Sequence, residues 1–75
     1  MRDRFHITVR FRAGGPAVEG QWEDEAAALR KFRSWVGRRG STDGVVITLW
    51  RETEGARTDM RTWMPRTGET VHRQQ

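Results

Sequence analysis

Positions 5, 7, 9 and 11 are Phe, Ile, Val and Phe, and His6, Thr8 and Arg10 between them are polar. This period of two predicts a β-strand with one face in a core and the other in water. Ala13-Gly14-Gly15-Pro16 predicts a turn. Beyond it Val18, Gly20 and Trp22 alternate with Ala17, Glu19 and Gln21, giving a second strand. Pairing Arg12 with Ala17 sets Phe11 opposite Val18, Val9 opposite Gly20 and Ile7 opposite Trp22. The outer face then gains an Arg10–Glu19 ion pair.

The period then changes. Ala28, Leu29, Phe32, Trp35 and Val36 fall within an arc of about 120° on a helical wheel, which predicts a helix over 23–38. Glu23, Asp24 and Glu25 at its start and Arg38 and Arg39 at its end complement the helix dipole, and Gly40 supplies a stop. Gly37 lies off the arc and is a candidate for an earlier one. Residues 45–50, Val-Val-Ile-Thr-Leu-Trp, have the β-branched content of a strand. A turn over 52–56 leads into a strand over 57–64. Pairing Thr53 with Ala56 puts Leu49 opposite Met60, Ile47 opposite Thr62 and Val45 opposite Met64, and leaves Trp63 on the outer face.

The expected fold is α+β: a small ββαββ domain over 1–64, with a four-stranded antiparallel sheet and one helix packed on one face. Residues 65–75 read as a polar tail, either mobile or a short edge strand over 69–72. The expected core takes in Phe11, Val18 and Met64 with the residues aligned above. A helix about 10 Å wide covers only half of a sheet roughly 19 Å across, so a dimer partner or the tail is expected over the rest.

Composition adds bounds. Seventy-five residues make one domain, and a chain of this size buries only about 60% of its unfolded surface. There is no cysteine, so neither disulfides nor thiolate metal sites are available. No 18-residue apolar run exists, so the expectation is a cytoplasmic protein without membrane association. The net charge is +4, with 13 arginines against one lysine, no asparagine and no tyrosine. An arginine-rich surface suits phosphate or carboxylate. The same bias is what a high-GC genome, such as an actinobacterium or one of its phages, produces by itself.

Catalytic chemistry is poorly supplied. Ser34 and Ser41 have no histidine near them in sequence, and His6 and His72 lack the spaced ligands of a metal site. Glu23-Asp24-Glu25 reads as dipole compensation. Gly14-Gly15-Pro16 lacks the Lys-Ser/Thr of a phosphate loop. Zinc-finger, helix-turn-helix and RNA-recognition motifs are absent. We therefore expect no enzyme, no cofactor, no metal and no small-molecule substrate.

Two surfaces remain. The registers above place Trp50, Trp63, Arg61, Arg10, Arg12 and His6 on the sheet face away from the helix. Tryptophan interleaved with arginine is what an interaction hot spot requires, and equally what a base-stacking platform requires. A third reading has Trp50 or Trp63 wrapping a sheet edge or packing under the tail. On the helix, Arg30, Lys31, Arg33 and Arg38 have no acidic residue three or four positions before them. The expectation is an interaction module that binds a protein partner, or itself as a homodimer, through the Trp/Arg sheet face. The alternative is a nucleic-acid-binding protein using that face or the basic helix surface.

Overall fold

The computed structural model describes residues 3–12 and 14–72. Ala13 of the first predicted turn and residues 73–75 of the predicted tail lie outside them. The elements are β1 (Arg4–Arg10), β2 (Ala17–Trp22), α1 (Glu25–Arg39), β3 (Val46–Thr53), β4 (Ala56–Met64) and β5 (Gly68–Val71). One antiparallel sheet in the order β2-β1-β3-β4-β5 carries all five strands. The α+β class stands; the expected four strands are five, because the tail takes the edge-strand alternative, with 68–71 paired to β4. Since β2 and β3 both run antiparallel to β1, α1 connects two parallel strands across the one between them. It packs over β1, β2 and β3.

The core is the face under that helix. Phe5, Ile7 and Val9 from β1, Val45, Ile47 and Leu49 at β3, and Ala28 and Phe32 from α1 are buried; Trp22, Leu29, Trp35, Val36, Met60 and Trp63 pack against them. Asp24 caps the helix, its side chain accepting from the Ala27 N–H at 3.1 Å. Gly37 does not stop it; the helix runs to Arg39, and the Gly40 N–H donates to the Val36 carbonyl. One glycine in an exposed helix interior costs only about 1 kcal/mol, which the packed face beneath outweighs.

Two registers differ from expectation, for different reasons. In the first hairpin Arg10 pairs with Ala17, Val9 with Val18, Ile7 with Gly20 and Phe5 with Trp22. This is a shift of two residues. Hydrophobic alternation fixes register only modulo two, so the apolar faces stay aligned while every partner changes. Phe11 leaves the strand, and it and Val18 are 36% and 47% exposed rather than core. Glu19 now faces Thr8, so the expected Arg10–Glu19 pair does not form.

In the second hairpin Thr53 pairs with Ala56 and Trp50 with Asp59, as the alternation predicts. A β-bulge then sets Leu49 opposite Arg61 and Ile47 opposite Trp63. One inserted residue reverses the side on which every later side chain projects. Trp63 and Arg61 therefore turn to the helix side, and Met64 is left exposed.

The turn of that hairpin has positive φ at both central residues, 51° at Glu54 and 82° at Gly55. This is the two-residue hairpin turn that favours Asn-Gly, because asparagine tolerates the left-handed region better than glutamate. Glu54→Asn is expected to stabilise the domain by about 0.5–1 kcal/mol, read as a raised thermal midpoint.

Candidate functional site

The sheet face away from the helix is built from even-numbered positions of β1 and β3 and the facing residues of β4. Trp50 stands at its centre, opposite His6 on β1 and Asp59 on β4. The His6 ring stacks on the indole, with centroids 4.0 Å apart and planes at 9°. The Arg57 guanidinium lies over the indole at 4.4 Å. Because β1 and β4 flank β3 on opposite sides, the two groups close on Trp50 from opposite sides.

Hydrogen bonds fix each member. The indole N–H donates to Thr8 Oγ1 at 3.0 Å, and the Thr8 hydroxyl lies 3.4 Å from Glu19 Oε2. His6 Nε2 and Glu52 Oε1 form a hydrogen bond of 2.9 Å. Arg57 Nε donates to Asp59 Oδ1 at 2.9 Å. Stacking and cation–π contacts contribute about 0.5–1.5 kcal/mol each. Their geometric effect is larger: Trp50 is held as a strut, with both His6 and Arg57 engaged on its ring.

Beside this cluster the face sinks into a groove of about 480 Å³. Arg10, Arg12 and Arg57 line it, with the hydroxyls of Thr8 and Thr48 and the carboxylate of Glu19. The turn that follows β1 holds Arg12 at its mouth, the Gly15 N–H donating to the Arg12 carbonyl at 3.0 Å. Among the described residues, neither Arg10 nor Arg12 has a side-chain ion pair or hydrogen bond. The shifted hairpin register is the cause for Arg10, since it hands Glu19 to Thr8.

Thr8 and Thr48 in the groove belong to a row of threonines that crosses the sheet. Thr8 pairs with Thr48, Thr48 with Thr62 and Thr62 with Thr70, across four adjacent strands. Thr62 Oγ1 bonds His72 Nε2 at 2.9 Å. Thr48 is only 9% exposed, and its hydroxyl has no hydrogen-bond partner among the described residues. The hydroxyl oxygen itself is open to solvent, so it is available to an occupant of the groove.

The residues singled out from sequence therefore divide into three groups. Trp50, His6, Arg10 and Arg12 share the open face. Trp63 and Arg61 do not: the Trp63 indole N–H donates to the Gly40 carbonyl at 2.8 Å beneath the helix end, and Arg61 Nη1 bonds Glu69 Oε2 at 2.6 Å. A Cβ on Gly40 would lie 2.8 Å from the Trp63 indole nitrogen, so only glycine admits that contact. Arg30, Lys31, Arg33 and Arg38 are exposed on the helix, and Lys31 flanks it, lining a cavity against β1 and β2 with Trp22 and Trp35. None has an ion-pair partner among the described residues.

Sequence reasoning passed over Arg57; it put Thr48 on the open face and Glu52 near the sheet without singling out either as a site residue. The hairpin parity that puts Asp59 on the open face also puts Arg57 there, two residues away, and could have found it. Among the described residues, no group of three or more His, Asp or Glu is placed to hold a metal ion, and no helix is long and apolar enough to cross a membrane. Comparison with protein-family models, with curated proteins and with solved structures finds no match.

Proposed function

We propose that this chain is a binding module whose open sheet face docks an acidic segment of a protein partner in the groove of Arg10, Arg12 and Arg57. The observation that carries this reading is the pair of guanidiniums, Arg10 and Arg12, without carboxylate partners above a floor of hydroxyls. Arginine presents a planar fork of donors that matches a carboxylate bidentately. Unpaired cations at the wall of a concavity raise the local concentration of an anionic partner and steer its approach.

A protein partner is favoured over nucleic acid by the state of Trp50. Sequence-tolerant single-strand binding uses aromatic faces on which bases stack. Here the Trp50 indole is already engaged by His6 and Arg57, and Trp63 is committed to the helix end. A second reading rests on a separate observation, the unneutralised Arg30, Lys31, Arg33 and Arg38, which suit a phosphate backbone without base contacts.

Fluorescence anisotropy separates the two. A labelled nonapeptide with three central glutamates is expected to bind at low ionic strength, and the Arg10→Glu/Arg12→Glu double variant is expected to weaken it by about a hundredfold, since repulsion replaces attraction. Arg30→Glu/Arg33→Glu should leave peptide binding within about twofold, because screening over the thickness of the domain removes most of its influence. An oligonucleotide bound through the helix, with no peptide bound, would reverse the assignment.

A further inference from the structure

The donors lining the groove specify its occupant more closely than "acidic". This step rests on the docking reading above. Of the three arginines, Arg57 is neutralised by Asp59 at 2.9 Å. Glu19 bonds the Thr8 hydroxyl and keeps its charge in the groove, so the excess beyond the Arg57–Asp59 pair is a single positive charge. Arg10 and Arg12 are left as two cations with no partner among the described residues. A phosphate monoester presents three acceptor oxygens on one tetrahedral centre, which matches two guanidiniums and one further donor.

Thr48 supplies that donor. It lies on the floor between the arginine-bearing walls, nine-tenths buried, with its hydroxyl unclaimed by any described residue. A flat carboxylate held bidentately by one arginine leaves this hydroxyl idle, whereas a tetrahedral group directs one oxygen at each wall and a third at the floor. We infer that the groove recognises a phosphorylated serine or threonine side chain on the protein partner, with Arg10 and Arg12 taking the charge and Thr48 completing the tetrahedral set.

The test compares three peptides that differ at one central position: Glu-Glu-Glu, Glu-phosphoserine-Glu and Glu-Ser-Glu, each in the same nonapeptide and each titrated into the full-length chain. The phosphopeptide is expected to bind about tenfold more tightly than the all-glutamate peptide, more than one extra screened charge supplies. Thr48→Val, which keeps the β-branched shape, is expected to reduce that preference to about threefold or less. Arg10→Gln/Arg12→Gln should abolish it, and inorganic phosphate should compete against the wild-type protein. Equal affinity for the glutamate and phosphoserine peptides would overturn the phosphate assignment while leaving acidic docking intact. A preference that survives Arg10→Gln/Arg12→Gln would also overturn it. Absence of binding by every peptide would overturn both readings together, and a 5′-phosphorylated oligonucleotide bound in this groove would transfer the site to nucleic acid.

Discussion

Phe32→Ala is expected to leave the chain largely unfolded at 25 °C. Phe32 projects from the middle of α1 and has no solvent exposure. It is among the largest fully buried side chains, and the others are Ile7, Ile47, Leu49, Val9 and Val45 from the sheet beneath it. Truncating a buried phenylalanine costs about 3–5 kcal/mol in lost transfer energy and residual cavity. A single core in a chain of this size rarely supplies more than about 3–5 kcal/mol in all, and no disulfide supplements it. The loss therefore matches most of the available stability. Circular dichroism should show the change directly, and urea titration of the milder Phe32→Leu should show a lowered midpoint. Phe11→Ala is the control. The sequence pattern groups Phe11 with Phe5, but it is 36% exposed in a loop, and its truncation is expected to cost no more than about 1 kcal/mol.

Trp63→Ala is the second large effect, and it separates a structural role from a binding one. If Trp63 belonged to the open face, its loss would impair partner binding and spare the fold. In its actual position the indole fills the space beside the helix end and satisfies the Gly40 carbonyl. The expected cost is about 3 kcal/mol, the lower end for a large aromatic because the ring is only partly buried. Trp63→Phe keeps an aromatic ring but loses part of the indole's volume together with the N–H, for an expected cost of about 1–2 kcal/mol, between wild type and Trp63→Ala. Urea denaturation of both variants checks the order. Peptide affinity of the folded fraction should stay unchanged in each. Arg61→Ala, which breaks only the partly exposed pair with Glu69, should cost less than about 1 kcal/mol.

These two residues show where the sequence was legible. Phe32 declares itself by helical spacing, and Ile7, Val9, Ile47 and Leu49 by strand alternation, because burial on one face imposes a period. Trp63 does not, because its side depends on one inserted residue near Met60 that no pattern of apolar positions marks. The same limit acts on the site. Alternation places Arg10 on the open face under either register of the first hairpin, since the two registers differ by two. Whether Arg10 is neutralised by Glu19 or left free depends on that difference alone, and it sets the chemistry of the groove. Trp50 was legible as an open-face residue. Its engagement by His6 and Arg57 was not, because ring orientation follows from neighbours on two other strands.

The two sides of the sheet divide the labour. The helix side holds the fold, with Trp22, Trp35 and Trp63 all committed to it. The open side holds Trp50 in place and leaves Arg10, Arg12 and Thr48 available. The central claim is that this open groove is where the partner sits. Backbone amide chemical-shift mapping during titration with the phosphoserine nonapeptide tests it most directly. The predicted result is a set of shifts centred on Thr8, Arg10, Arg12, Thr48 and Arg57, with Arg30, Arg33 and Arg38 unmoved. Shifts confined to the helix, or spread evenly over both sides of the sheet, would contradict it.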